Sequence, residues 1–189
     1  MRNKTYSLIV LTLVVFAATI GTQGRAEPAS SQEHRVKAAF LYNFIKFVDW
    51  PEEKVADNND TTVLGIIGKH SFGDAFEAVK GEKVKNRNII VKYFTGFEQT
   101  RDKDALKKCH LLFICSSEKQ HLKEILKIAE SGNVLTVGDM DGSLTSGKVI
   151  EFVMEEKKVR FQINITAAKR AKLQIRSQLL RLAKKVVKE

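Results

Sequence analysis

The chain has 189 residues, 43% of them hydrophobic and 29% charged, and a formal net charge of +10. That length suits a single domain with a core of its own, and beyond the N-terminal apolar run no segment is apolar enough to span a membrane. The charge is localised: losing Arg2, Lys4 and Arg25 with residues 1–26 takes it to +7, and residues 164–189 hold eight basic side chains against Glu189 alone, so Glu27 to Ile163 is balanced.

In chain order, Arg2 and Lys4 precede the apolar run Leu8 to Ile20, and Gly24-Arg25-Ala26 sets small residues around a cut. This is the order of a secretory signal peptide over residues 1–26, with the mature chain starting at Glu27 as one domain over 27–189. The apolar run is shorter than the roughly 20 residues that span a bilayer. No cysteine lies near the cut to take a lipid. After a polar leader, Val36 to Val48 has apolar residues at helical spacing and stops at Asp49-Trp50-Pro51. Glu52 to Asp60 reads as a charged loop, Thr62 to Gly68 as a buried strand, Phe72 to Lys80 as a helix and Asn88 to Phe94 as a second strand. A short helix near Asp102 to Lys108 leads to a third strand, Leu111 to Cys115. Glu118 to Glu130 is an amphipathic helix closed by Ser131-Gly132-Asn133, and Val134 to Val137 is the fourth strand.

The pattern then changes. Val149 to Met154 and Lys158 to Ile163 alternate around Glu155-Glu156-Lys157, which spells a β-hairpin. Asn164 or Thr166 can cap a long final helix. The whole implies an α/β domain: a mainly parallel sheet flanked by helices, a C-terminal antiparallel hairpin and a long final helix.

Chemistry-bearing patterns are few. The turn after the first strand, with Gly68, Lys69, His70 and Ser71, is either a tight strand-end turn or a ligand turn, since open parallel sheets bind ligands at strand C-termini. It matches neither phosphate-loop nor dinucleotide spacing. Cys109, His110 and Cys115 make the one metal-like grouping, but strand alternation sends His110 to the face opposite both sulfurs, so no metal is expected and both thiols should be buried and unbridged. Asp139 and Asp141 read as loop acids. With no nucleophile elbow, zinc motif or cofactor loop, the chain reads as a non-enzyme without a cofactor. In the final helix Ala168, Ala171, Ile175, Leu179, Leu182 and Val186 form an apolar stripe. Lys184 and Lys188 lie opposite it and Lys185 on its flank, either as a solvated face or as an electrostatic surface for anionic lipid or an acidic partner. Nucleic acid is excluded by export and by the lack of interleaved aromatic residues. The first helix is apolar nearly all round, so Tyr42, Asn43 and Trp50 are either core or a partner or homodimer surface.

The run from Val36 to Pro51, Leu64 to Gly68, Cys109 to Ile114, Val134 to Val137, Val159 to Asn164 and Ser177 to Ala183 together resemble the YfiR family of periplasmic proteins. The resemblance covers almost the whole mature chain. It implies an α/β periplasmic domain that binds the periplasmic part of an inner-membrane diguanylate cyclase and so restrains cyclic-di-GMP synthesis and biofilm formation. Related domains also serve as sensory modules, which leaves a small-ligand-binding sensor as the alternative. The family supplies no catalytic residues, and members held by disulfides carry more cysteines than the two present here.

Overall fold

The computed structural model describes residues 29–56, 60–79, 81–140 and 144–188; the export signal read at residues 1–26 lies outside them. Among the described residues no helix is long and apolar enough to cross a membrane. The elements run α1 (Ala29–Phe47), β1 (Val48–Asp49), α2 (Glu52–Ala56), β2 (Thr61–Ile67), a 3-10 helix (Gly73–Val79), β3 (Lys83–Val84) and β4 (Arg87–Phe94). They continue with α3 (Asp104–Lys107), β5 (Leu111–Ile114), a second 3-10 helix (Ser116–His121), α4 (Leu122–Ser131), β6 (Leu135–Gly138), β7 (Ile150–Glu155) and β8 (Lys158–Asn164). The chain closes with α5 (Ile165–Arg170), β9 (Gln174–Ile175), α6 (Ser177–Leu182) and β10 (Lys185–Val187).

Eight strands form one sheet in the order β10-β8-β7-β6-β5-β2-β4-β3. Strands β4, β2, β5, β6 and β7 are mutually parallel, β8 returns antiparallel to β7, and β3 caps the other edge antiparallel to β4. The central strands are continuous apolar runs because both faces are covered. Leu64, Ile66, Leu111 and Phe113 point into a core shared with α1, while Val63, Ile67, Leu112 and Ile114 point into a second core beneath α4. Each such side chain contributes about 1.5–3 kcal/mol by leaving water. Helix α1 lays Ala38, Leu41, Phe44 and Ile45 on the first face, and Phe44 meets Phe152 and Phe161 at ring-centroid distances of 5.7 and 5.0 Å.

The long final helix does not form. Asn164 does cap a helix, its side-chain oxygen accepting the Ala167 amide at 2.9 Å, but α5 ends within two turns. Lys172 takes a left-handed φ of 54°, and the Leu173 amide returns to the Ala168 carbonyl at 2.9 Å, a helix-terminating pattern. Partners elsewhere then compete for the backbone. Gln174 and Ile175 pair with Asp49 and Val48, and Lys185 to Val187 run parallel along β8 from Gln162 to Asn164. The edge of β8 offers unpaired amides and carbonyls that solvent would otherwise fill, and the β-branched Val186-Val187 suits that edge better than a helix. The apolar stripe is therefore divided: Ala168, Ala171 and Leu179 are buried, whereas Leu182 is 65% exposed. A smaller departure follows the same logic of local competition. Glu52–Ala56 is helical rather than loop, while the segment after Phe72 is helical as expected, in the 3-10 form.

Candidate functional site

Two polar sites lie at opposite ends of the sheet, and α1 reaches both. The first is at the C-terminal ends of β2, β5 and β6. Gly68 ends β2 with φ of 100° while its amide bonds the Phe94 carbonyl at 3.0 Å. A Cβ there would collide with Ser117 Oγ, so only glycine fits. The Lys69 amide donates to that same Ser117 Oγ at 2.9 Å, which aims the following residues over a pocket of about 170 Å³. His70, Ser71, Cys115, Ser116, Asp139 and His34 line it above Phe72 and Phe113. His70 stacks on Tyr93 at 4.8 Å, and burial, with His34 nearby, holds its pKa below the usual histidine value.

Asp139 anchors this pocket. Its Oδ2 accepts from the Lys37 ammonium at 2.8 Å, and Lys37 also meets Glu33 at 2.7 Å. Burial works against the ammonium, but the hydrogen bonds to Asp139 and Glu33 outweigh it and raise its pKa. Asp139 Oδ1 is buried without a hydrogen-bond partner, an acceptor left for something else. Burial pushes the Cys115 thiol up to about 12, so it is no nucleophile at neutral pH. Among the described residues no three His, Cys, Asp or Glu side chains are placed to hold a metal ion.

The second site is built where α1 ends. The Trp50 indole donates to the His110 carbonyl at 3.0 Å and its ring meets the His110 ring edge-on at 5.6 Å. Asp49 accepts Arg176 on both carboxylate oxygens, at 2.8 and 3.0 Å, and Lys85 at 2.5 Å; the Arg176 hydrogen bond leads the causes that hold its pKa below the usual carboxylate value. His110 is 2% exposed, and its Nδ1 accepts the Val63 amide at 3.1 Å. Burial, reinforced by the positive charges of Lys54 and Arg87, brings its pKa down to about 4, so the ring is neutral. Sequence reasoning singled out Trp50 but not His110 as part of a site. The polar residue opening an apolar strand was the available signal.

Of the remaining surface candidates, the lysines of the final segment are the ones placed differently from expectation. Tyr42 and Asn43 are half-buried on a flank of α1, with the Tyr42 hydroxyl 3.5 Å from Glu82 and the Lys46 ammonium 4.3 Å over its ring. Lys184, Lys185 and Lys188 share no helical face, because the helix meant to carry them is absent. Lys184 instead pairs with Glu155 at 2.6 Å, Lys185 opens β10 and Lys188 follows it, both exposed. The cysteines are free and buried, as expected. Alternation fails at Cys109, however, which belongs to the turn closing α3: its sulfur faces the α4 core and that of Cys115 the α1 core, so His110 is not opposite both.

Residues 34–184 match the family described as YfiR/HmsC-like (DUF4154). No curated protein matches the chain. Among solved structures, a conserved domain protein from Vibrio cholerae O1 biovar El Tor superposes with a TM-score of 0.53 at 10% identity, over 82% of this chain and 60% of that one. The ABC domain from Streptococcus pneumonia, solved in complex with L-Trp, gives a TM-score of 0.49 at 7% identity over 67% of this chain and 55% of that one. The chain thus spans about 60% of the length of the Vibrio protein, and that likeness shows the fold alone.

Proposed function

The chain belongs to the YfiR/HmsC-like family, and on that premise we propose that it is a periplasmic regulator that represses an inner-membrane diguanylate cyclase by binding the cyclase's periplasmic part. The observation that carries the reading is the family match itself, which spans the domain from α1 through α6. The mechanism is a population shift: a protein that binds the inactive conformation of its partner more tightly lowers the active fraction by that difference in affinity. The outward flank of α1 suits such a contact, because Val36 is 38% exposed and Tyr42 and Asn43 are half-exposed beside it. The same flank would serve a homodimer, and Lys185 and Lys188 would add attraction to an anionic membrane surface. The test is a deletion strain in which cellular cyclic-di-GMP is measured and the membrane fraction is probed with the purified chain. A rise in cyclic-di-GMP and retention of one cyclase-containing membrane protein are expected; an unchanged level with nothing retained rules the reading out.

A second reading, a small-ligand sensor, is favoured by the Asp139 oxygen left without a partner at the strand-end pocket. Thermal stabilisation by a small donor-bearing molecule, lost in Asp139→Asn, would support it.

A further inference from the structure

The second pocket, beneath Trp50, has a volume of about 170 Å³, close to the engineered cavity of about 150 Å³ that takes up benzene. Its interior is divided into an apolar and a polar part. Ile45 from α1, Val55 from α2 and Val84 from β3 join the Trp50 ring as apolar wall. The polar end presents donors. His110 accepts the Val63 amide at Nδ1, so in the neutral ring the proton sits on Nε2. That Nε2 is buried and has no hydrogen-bond partner. Such a group is exceptional in a folded protein and marks a place where an acceptor belongs.

The charge around this donor is positive. Arg87 and Lys85 line the same pocket, and Asp49, the one carboxylate among the described residues that line it, is already engaged by Arg176 and Lys85. Arg87 is fixed by donating Nη2 to the Thr61 carbonyl at 2.7 Å. Lys85 and Asn86 both take left-handed φ values, 52° and 62°, in the tight turn joining β3 to β4. Lysine is a poor residue for that conformation. There, however, it brings its ammonium to the Val48 carbonyl at 2.8 Å and to Asp49, at the pocket rim.

We propose that this pocket binds a small organic monocarboxylate, with a carboxylate oxygen accepting from His110 Nε2 and facing Arg87, and its apolar body against Ile45, Val84 and Trp50. The inference is independent of the regulatory reading, because it requires no protein partner, and it concerns the opposite end of the sheet from the Asp139 pocket.

Trp50 is the only tryptophan in the chain, so intrinsic fluorescence reports on the pocket directly. Benzoate should produce a saturable change in that emission at millimolar concentration. Benzyl alcohol, which keeps the body and loses the charge, and acetate, which keeps the charge and loses the body, should each bind at least tenfold more weakly. Arg87→Gln should weaken benzoate about tenfold. Val55→Phe fills the pocket from a partly exposed position and should abolish the response while leaving the melting temperature unaltered. In the unmodified chain the His110 ring resonances should shift with the same midpoint as the fluorescence, which keeps the test decisive even if a variant fails to fold. The proposal is overturned if benzoate gives no saturable change, which leaves a pocket for water only. It is also overturned if benzyl alcohol binds as well as benzoate, if folded Val55→Phe still responds, or if the His110 resonances stay still while the fluorescence moves.

Discussion

Acidification should destabilise this fold chiefly through one buried ring. His110 titrates near 6.5 in an unfolded chain, whereas burial, aided by Lys54 and Arg87, brings it to about 4 in the fold. Between those values the unfolded state binds the proton and the folded state does not, so stability falls as pH falls. The contribution is complete above about pH 6.5 and gone once pH drops through about 4. At 1.36 kcal/mol per pKa unit the difference amounts to about 3 kcal/mol, a large part of the 5–15 kcal/mol by which a typical domain is stable. His70, also lowered by burial, adds in the same direction. Asp49 does not enter, because a depressed carboxylate is lost only below its ordinary value near 3.8. Urea unfolding at a series of pH values from 7 to 4 measures the effect, with His110→Gln as the control that keeps an acceptor for the Val63 amide and removes the titration. The wild-type chain should lose about 3 kcal/mol more than the variant across that range. Equal losses in the two proteins would refute the assignment of the effect to His110.

Other perturbations test other parts of the structure. Burial holds the Cys109 and Cys115 thiols up at about 11 and about 12; at pH 8 roughly one Cys109 in a thousand is thiolate. Thiol reagents should therefore label neither in the folded protein and both after unfolding without reductant, and an internal disulfide would contradict their placement on opposite faces. A Cβ on Gly65 would stand 2.7 Å from Cys109 Sγ and 2.9 Å from Leu112 Cδ1, so Gly65→Ala should cost about 1–3 kcal/mol by overpacking in a denaturant melt. Tyr42 is half-buried, and Tyr42→Ala should lose about 1–2 kcal/mol, less than the 3–5 kcal/mol of a buried aromatic truncation; sedimentation of the same variant shows whether self-association falls with it. Changing Lys184, Lys185 and Lys188 to Gln should leave the urea midpoint in place and weaken salt-sensitive binding to anionic vesicles, and unchanged binding would leave these lysines as solvated surface.

How much of this was legible in the sequence depended on how local the deciding interaction was. Strands β2, β5 and β6 announced themselves because both faces are covered, which forces unbroken apolar runs such as Leu111 to Ile114. The hairpin of β7 and β8 showed in its alternation, since its buried set (Ile150, Phe152, Val159, Phe161 and Ile163) lies against α1. The final segment failed because its spacing satisfies a helix while its hydrogen bonds are made to Val48, Asp49 and β8, more than a hundred residues away in the case of Arg176 and Asp49. Strands of two or three residues carry no periodicity of their own, and only the partner strand defines them. The sites divide in the same way. Gly68 to Ser71 was visible as a turn because glycine is demanded locally. The convergence of His34, Cys115 and Asp139 on that turn required the topology of three strands and α1.

That topology brings α1 to both polar sites. His34, near its start, lines the pocket at the strand C-termini, and Ile45, near its end, lines the pocket beneath Trp50. Between them its flank carries Val36, Tyr42 and Asn43, the residues offered above as a partner surface. A ligand at either end can change partner binding only by the difference in its affinity for free and partner-bound chain. A full switch, from 1:99 to 99:1, needs a ratio of about 10⁴. A pocket of about 170 Å³ holding a benzoate-sized acid has few contacts from which to build that ratio. The coupling expected between the two is therefore graded, a modest shift in partner affinity on saturation with the acid. By reciprocity the partner must shift the acid's affinity by the same factor. Measuring the benzoate midpoint with and without the captured partner tests this: an unchanged midpoint would mean that α1 does not link the two events at equilibrium.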